Sequence, residues 1–261
     1  MLPIASLSQH APRHLRGLLF DLDDTLLDRA KLTEAAYSSL FRLREAGFES
    51  YAVTGRPAGW AAVVARQWPI DGAVAENGAL AFVADERGLH TLDPVDSTER
   101  ARRQHALADL VAAVKHEFPE LVPADDVPLR RSDFTFDIGE QERVPNERVA
   151  EVKAFAEARG ASTLASSVHL HLSFDREDKA SGVVRLIRQL RGLDPSAILT
   201  RYAFIGDSGN DAPCFAAFRH SIGVHNLSGR PTLTPRYITT RERGAGFVEA
   251  VAALIAAGRE G

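Results

Sequence analysis

Four polar motifs could carry chemistry in this 261-residue chain. In chain order they are Asp21-Leu22-Asp23-Asp24-Thr25, Thr54-Gly55-Arg56, Lys179 and Gly206-Asp207-Ser208-Gly209-Asn210-Asp211. A carboxylate is a competent nucleophile toward phosphorus, and a second carboxyl group beside it can give and take the proton. Clustered carboxylate oxygens suit Mg²⁺, which offsets the repulsion between them. These residue types therefore predict metal-assisted transfer of a phosphoryl group.

Donor groups in the second and third motifs fit the same chemistry. A phosphoryl group in transfer spreads negative charge over its oxygens, so donors must already be in place around it. The Thr54 hydroxyl, the Gly55 amide and the Lys179 ammonium suit that task. Gly55 also lets the backbone come close to a phosphate, because it has no side chain.

Each motif taken alone has an ordinary structural explanation. An Asp-x-Asp pair is common on solvated loops, Thr-Gly-Arg is typical of a turn, and Lys179 would suit the start of a helix. The run from Gly206 to Asp211 could be a turn followed by a helix cap. It is the conjunction of four motifs in one order that favours a common site.

Alternating strands and helices are predicted to position the motifs. Short apolar runs end at or next to Asp21, Thr54 and Asp207, and helical periodicity follows them. This alternation is typical of a parallel sheet with helices on both faces. Ligands of such sheets bind beyond the carboxyl ends of the strands, so these three residues should meet at one rim.

A middle segment breaks the alternation, because strand and helix patterns no longer follow one another singly. We predict an α+β unit inserted at residues 83–173, in a core made of residues 17–82 and 174–261. Residues 1–16 would be a flexible extension. The predicted fold class is α/β, a Rossmann-like parallel-sheet core with an inserted α+β domain.

Composition narrows the function classes. With 31 basic and 35 acidic side chains, the net charge of −4 gives no strong field for nucleic acid or an anionic membrane. No apolar stretch approaches the ~20 residues that a membrane span needs. The single Cys214 excludes an internal disulfide framework, favours the cytoplasm and is predicted to be a small core residue.

The four motifs together resemble the haloacid dehalogenase (HAD) superfamily of phosphatases, over nearly the whole chain beyond residue 16. The run from Asp21 to Thr25 matches its first motif, Asp-x-Asp-x-Thr. The resemblance implies that Asp21 is the nucleophile and Asp23 the general acid and base. It makes Thr54 the hydroxyl of the second motif and Lys179 the lysine of the third.

The resemblance also implies a Mg²⁺ site. Asp21, Asp207 and the backbone carbonyl of Asp23 would bind the metal, and Asp211 would support the metal or its waters. The positions assigned to phosphate or substrate are Leu22, Gly55, Arg56 and Asn210, with a surface role for Arg56 as the alternative.

The insertion lies between the second and third motifs, as in subclass B of the superfamily with its α/β type II cap. This subclass includes Cof-like sugar phosphatases, sucrose- and trehalose-phosphate phosphatases, mannosyl-3-phosphoglycerate phosphatase and phosphomannomutase. The runs Thr54-Gly55-Arg56-Pro57 and Glu76-Asn77-Gly78 suit this group. Asp24 and Ala180 depart from it, since Gly is frequent at both positions, but neither is a proposed catalytic group.

Strand parity in the cap suggests what selects the substrate. Phe134, Phe136 and Ile138 should face the cap helices, as should the apolar residues from Val168 to Phe174. The opposite side would present Arg131, Asp133, Thr135, Asp137, His169, His171 and Ser173. In the type II cap that side overhangs the active site. Our hypothesis is that Arg131, with Arg130 beside it, binds a second anionic group of the substrate. His169 and His171 would contact sugar hydroxyls. The alternative is that this face of the sheet is simply solvated.

The leading functional prediction is a Mg²⁺-dependent phosphatase that acts through an aspartyl-phosphate intermediate. Its substrate would be a small phosphorylated metabolite, a sugar phosphate or sugar-acid phosphate, and it would be a monomer or a homodimer. A sugar phosphomutase is one alternative. A non-catalytic phosphate-binding regulatory module is another, although the presence of every motif carboxylate and of Lys179 argues against it.

Overall fold

The computed structural model describes residues 1–10, 15–141, 143–166, 168–227 and 233–259. Its strands are β1 (Leu2–Pro3), β2 (Gly17–Phe20), β3 (Glu49–Val53), β4 (Gly72–Ala75), β5 (Leu80–Asp85), β6 (Gly88–Leu92), β7 (Val122–Pro123), β8 (Asp133–Asp137), β9 (Ser162–Ala165), β10 (His169–Ser173), β11 (Tyr202–Gly206), β12 (His220–Gly223) and β13 (Tyr237–Ile238). Its helices are α1 (Leu7–His10), α2 (Glu34–Glu45), α3 (Ala58–Gln67), α4 (Ser97–Glu117), α5 (Asn146–Glu157), α6 (Lys179–Arg191), α7 (Pro195–Arg201), α8 (Ala212–Ala217) and α9 (Arg243–Arg259).

The core sheet has the order β1-β13-β12-β11-β2-β3-β4-β5-β6. Along this order, every pair of neighbouring strands between β1 and β4 is parallel. The pair of β4 with β5 and the pair of β5 with β6 are antiparallel. Helices α2, α3 and α9 contribute to the core on one face, and α6, α7 and α8 to the core on the other. Strands buried on both faces read as continuous apolar runs, as in Leu18-Leu19-Phe20. The predicted α/β fold with a parallel-sheet core is confirmed.

A second sheet, with the order β7-β8-β10-β9, forms the cap. All its pairs are antiparallel, and α4 and α5 pack on one of its faces around Phe136, Val152 and Leu170. The opposite face carries polar residues in register, with His171 across from Thr135. The parity predicted from alternation is therefore the observed one, because successive side chains of a strand point to opposite faces.

The hairpin of β5 and β6 corrects the predicted domain boundary. β5 pairs with β4 of the core sheet, with Ala73 opposite Phe82. The insertion therefore begins after Leu92, and the boundary predicted at residue 83 was too early. An amphipathic hairpin does not itself reveal which sheet it extends.

The first ten residues are part of the core, so the predicted flexible extension was wrong for this segment. β1 pairs in parallel with β13, and the side chains of Ile4 and Leu7 are buried in the core cluster that includes α9. Burial of each such side chain is worth ~1.5–3 kcal/mol, which accounts for the ordered packing. Residues 11–14 of the predicted extension lie outside the described residues.

Two smaller expectations concern the rest of the chain. Cys214 is unpaired and buried in the core beside α6, as predicted for a small core residue. Among the described helices, none combines the length and the apolar character that crossing a lipid bilayer would require.

Candidate active site

The first motif lies at the carboxyl end of β2. The Asp21 N–H donates to the Ile205 carbonyl of β11 at 3.0 Å, which places its side chain at the sheet rim. A π-type turn follows from Leu22 to Leu26, with Asp24 in the left-handed region at a φ of 52°. The Asn226 side-chain amide donates to the Asp24 carbonyl, and Arg243 Nε donates to Asp24 Oδ1, both at 2.9 Å. The C-terminal part of the chain thus holds the turn of the first motif.

Lys179 joins the first and fourth motifs. Its Nζ lies 2.9 Å from Asp21 Oδ1 and 2.7 Å from Asp211 Oδ1, and its side chain is 1% exposed. Lys179 begins α6, where Asp178 and Ser181 form a capping box. Burial alone would lower the pKa of the Lys179 ammonium, but the two carboxylates raise it above its usual value. Lys179 therefore stays charged beside the proposed nucleophile.

The fourth motif follows β11. Asp207 Oδ1 lies 3.5 Å from the hydroxyl of Thr25 in the first motif. Asp211 Oδ2 accepts the backbone N–H groups of Asp207 at 2.9 Å and Ser208 at 3.2 Å. Since its other oxygen accepts from Lys179, Asp211 organises this loop and leaves Asp207 as the less engaged carboxylate.

The acidic cluster fits a hard divalent cation. Asp21, Asp207 and Asp211 are buried, and each offers a carboxylate oxygen within 4.8 Å of the others. Lys179 supplies one positive charge against these three. Burial raises the pKa of both Asp21 and Asp207, and a cation among them would favour their charged forms. Carboxylate oxygens are the donors that Mg²⁺ prefers, so these residues could hold it.

The second motif follows β3 at the same rim. Thr54 is fully buried, and its Oγ1 accepts the N–H of Arg56 at 3.1 Å. A Cβ at Gly55 would lie 3.0 Å from Asn77 Oδ1, so a larger residue at this position would require the Asn77 side chain to shift. The three strand-end motifs therefore lie at one rim, as the sequence predicts.

Arg56 binds the first motif. Its Nε lies 3.1 Å from Asp23 Oδ1 and 2.9 Å from Oδ2, and its Nη2 lies 2.6 Å from Oδ1. The guanidinium also lies over the ring of Trp60, 4.4 Å from its centroid. Burial alone would lower the pKa of Arg56, but the carboxylates of Asp23, Asp21 and the cap residue Asp126 raise it.

Two further predicted contacts, Leu22 and Asn210, lie in the motif loops. Leu22 is buried, and Asn210 Oδ1 accepts the Ser208 hydroxyl at 2.6 Å. Contact of either residue with phosphate stays a prediction.

The cap is seated on the second motif and on the loop after β4. The buried Glu76 carboxylate accepts the N–H groups of Ala58 at 2.8 Å, Arg131 at 3.0 Å and Ser132 at 2.7 Å. Arg130 Nη1 donates to the Gly55 carbonyl at 3.1 Å. One carboxylate thus ties the start of α3 to the segment that leads into β8.

The polar face of the cap sheet is largely buried, so the solvated alternative was wrong. Asp133, Thr135, Asp137 and His171 are each below 9% exposed. Arg130 binds Asp126 and Asp133 with its side chain only 2% exposed. It offers no free guanidinium, which corrects its predicted role beside Arg131.

The other predicted cap residues differ in exposure. His171 Nδ1 lies 2.8 Å from Asp133 Oδ2, and His169 Nε2 lies 2.8 Å from Glu140 Oε2. Arg131 is exposed, with its guanidinium 5.9 Å from the centroid of the Phe82 ring. Contacts of Arg131, His169 and His171 with substrate stay predictions.

Sequence reasoning missed several residues of the site. They are Trp60, Glu76 in its cap-seating role, Asn226 and Arg243, and Thr25 of the first motif was given no role of its own. Asn226 lies in the loop after β12, so the strand-end rule that located the motifs could have found it. Trp60 and Arg243 lie on helices and carry no such signal.

Comparison with known proteins relates the motif-bearing segment to one family. The family model of haloacid dehalogenase-like hydrolases matches residues 18–100, which contain the first two motifs. A search of curated protein sequences gave no match.

Solved structures share the fold over nearly the whole chain. Protein 0175 of Thermoplasma acidophilum has a TM-score of 0.72 at 20% identity, covering 92% of this chain and 99% of its own. A sucrose-phosphatase from Synechocystis, solved with sucrose and phosphate, has a TM-score of 0.66 at 18% identity, covering 92% and 97%. A haloacid dehalogenase-like hydrolase from Bacteroides thetaiotaomicron has a TM-score of 0.68 at 15% identity, covering 92% and 99%. Residues 18–100 thus match the family model of the haloacid dehalogenase-like hydrolases, and the chain shares its fold with solved structures that include a hydrolase of this kind.

Proposed function

We propose that this hydrolase is a Mg²⁺-dependent phosphatase that cleaves the phosphomonoester of a small phosphorylated metabolite. The observation that carries the proposal is the buried Lys179 ammonium, which bridges Asp21 and Asp211 beside Asp207. A nucleophilic carboxylate, a fixed positive charge and metal ligands thereby converge at one rim of the sheet. This combination suits an in-line displacement at phosphorus.

The reaction proceeds in two displacements. The Asp21 carboxylate attacks phosphorus and forms an acyl phosphate, while the bond to the leaving oxygen breaks and Asp23 gives that oxygen a proton. Water then attacks the acyl phosphate and gives a proton to Asp23, which releases inorganic phosphate and restores Asp21. Lys179 and Thr54 stabilise the phosphoryl oxygens. Bound Mg²⁺ would offset the charge of the phosphoryl group and keep it in line.

The proposed substrate is a sugar phosphate or a sugar-acid phosphate. One similar structure, the Synechocystis sucrose-phosphatase, contains sucrose and phosphate, which supports this class. The exposed Arg131 is the candidate for a second anionic group, and His169 and His171 are candidates for sugar hydroxyls. The proposed partner is thus a small metabolite rather than nucleic acid or a membrane. We propose a monomer or homodimer in the cytoplasm, on composition alone.

A panel of phosphorylated metabolites tests the proposal. We expect phosphate release with Mg²⁺ and its loss after EDTA, restored by added Mg²⁺. Asp21→Asn should abolish release, because an amide cannot form the acyl phosphate. Asp109→Asn, at an exposed position of α4, is the matched control and should keep full activity.

Three outcomes would contradict the proposal. Release that persists in EDTA would remove the metal requirement. Wild type that releases no phosphate from any compound would favour the non-catalytic phosphate-binding module. Transfer that needs a sugar bisphosphate and yields no free phosphate would identify a mutase.

A further inference from the structure

The side chain of Asp23 has a single partner among the described residues. Asp21 is held by Lys179, whereas the Asp23 side chain is 50% exposed and projects from the π-type turn. Each of its hydrogen bonds comes from Arg56. The orientation of the Asp23 carboxyl group therefore depends on this one arginine.

The guanidinium engages the two oxygens of Asp23 unequally. Oδ1 accepts from both Nε and Nη2, at 3.1 and 2.6 Å, while Oδ2 accepts only from Nε, at 2.9 Å. A planar fork of this kind fixes the plane of a carboxyl group as well as its distance. Oδ2 keeps a free lone-pair position and is the oxygen available for proton exchange.

Arg56 is itself fixed from two sides. Its guanidinium stacks on the ring of Trp60, in the first turn of α3, at 4.4 Å, and its backbone N–H donates to Thr54 Oγ1 at 3.1 Å. Its side chain is 17% exposed, so little of it is free to reach elsewhere. Helix α3, Trp60, Arg56 and Asp23 thus form one chain of contacts.

We propose that Arg56 is a positioning residue that orients Asp23 for proton transfer, held by Trp60, and that it is not a phosphate ligand. The inference rests on the proposed phosphatase function and deepens it. As Asp21 bonds to phosphorus and the leaving oxygen departs, the proton passes from Asp23 Oδ2 to that oxygen. In the second step the attacking water returns a proton to Oδ2.

Two substrates that differ in their leaving groups test this role. An alkyl phosphate from the panel needs a proton on its leaving oxygen, whereas p-nitrophenyl phosphate has a leaving group that departs without one. The quantity to compare is kcat/KM, which covers the steps up to departure of that group. Arg56→Ala should lower it ~10- to 100-fold for the alkyl phosphate and less than ~3-fold for p-nitrophenyl phosphate, as part of the ~10²–10⁴ that a positioned acid contributes.

Companion variants separate positioning from phosphate binding. Asp23→Ala should show the same preference for p-nitrophenyl phosphate, and adding Arg56→Ala to it should cause little further loss. Arg56→Lys should not rescue the alkyl phosphate, because an ammonium cannot form the fork. Trp60→Leu should also lower kcat/KM more for the alkyl phosphate than for p-nitrophenyl phosphate, but by a smaller factor. This variant provides the test if Arg56→Ala fails to fold. Val63→Ala, exposed on α3, is the control.

The outcomes are distinguishable. Equal losses on both substrates, or rescue by lysine, would overturn the positioning role and make Arg56 a phosphate ligand. Absence of turnover of both substrates by wild type would instead be a failure of the proposed function.

Discussion

Asp24 holds a backbone conformation that favours glycine. Its φ of 52° lies in the left-handed region, where a side chain costs ~1 kcal/mol. Its carboxylate offsets part of this cost by an ion pair with Arg243, in which the Asp24 side chain is 44% exposed. Such pairs contribute ~0–1 kcal/mol. The turn that carries the proposed catalytic residues therefore combines backbone strain with a local compensation.

Replacement of Asp24 should separate these two contributions. Asp24→Gly loses the ion pair but relieves the backbone, whereas Asp24→Ala loses the pair and keeps the strain. We expect the glycine variant to be more stable than the alanine variant by ~1 kcal/mol in urea unfolding. Asp28 has no positive φ, so Asp28→Gly should be no more stable than Asp28→Ala. Equal stabilities of the two Asp24 variants would contradict this account.

At the residue scale, the sequence predicted side chains that follow strands and missed side chains that meet through loops. Asp21, Thr54 and Asp207 were predictable because parallel strands end at one rim. The fork between Arg56 and Asp23 was not, because it depends on side-chain rotamers and on the approach of two loops. The burial of Arg130 was missed for a related reason. Strand alternation predicts on which side of a sheet a residue lies, but not which segments of the chain cover that side.

The start of α6 is positioned by close backbone packing. A Cβ at Gly182 would lie 2.5 Å from the Cα of Gly78, and a Cβ at Gly78 would lie 2.0 Å from the Asp178 carbonyl oxygen. Gly78 also has a φ of +115°. Helix α6 therefore approaches the turn Glu76–Gly78 more closely than any side chain would permit, and Lys179 is the first residue of that helix.

Gly182→Ala should displace α6 from this turn. We expect an unfolding free energy lower by ~1–3 kcal/mol, as for other overpacked sites, and reduced phosphatase activity because Lys179 moves with the helix. Calorimetry and turnover of p-nitrophenyl phosphate would measure both effects. Gln189→Ala, exposed on the same helix, is the control and should lower neither. Full activity of Gly182→Ala would show that Lys179 is positioned independently of this contact.

At the element scale, strongly periodic segments were predictable and short or ambiguous ones were not. The strands β8 and β10 carry a clear alternation of apolar and polar residues, and the structure contains both. Strand β1 has two residues, one of them proline, and no pattern that marks a strand. Its pairing with β13 depends on the burial of Ile4 and Leu7, which is a tertiary effect.

Both connections between core and cap are held by one arginine. Arg100, in the first turn of α4, binds Asp93 after β6 at 2.8 Å and Asp175 after β10 at 2.6 Å. Arg103 also binds Asp175, at 2.6 Å. The side chain of Arg100 is 11% exposed, so these bonds are largely shielded from water. The two crossings of the chain into the cap thus meet at a single clamp.

Arg100→Met should loosen this clamp. It leaves Asp93 without its arginine partner and the buried Asp175 with Arg103 alone, and we expect the unfolding free energy to fall by ~2–4 kcal/mol. Hydrogen exchange should accelerate at residues 93–96 and 174–178, while β2 and β3 stay protected. Arg102→Met, exposed on the same helix, should change neither quantity appreciably. Uniform acceleration throughout the chain would argue against a local clamp.

The order of strands in the core sheet also bears on synthesis of the chain. Thr25 and Asp207, which meet between neighbouring strands β2 and β11, are 182 residues apart. At ribosomal rates this separation corresponds to roughly 10–40 s. During that interval the cap can fold on its own apolar cluster while Asp21 lacks Lys179 and Asp207. A nascent chain released before the fourth motif would carry the proposed nucleophile and the whole cap, yet it would lack Asp207 and Asp211, the proposed metal ligands.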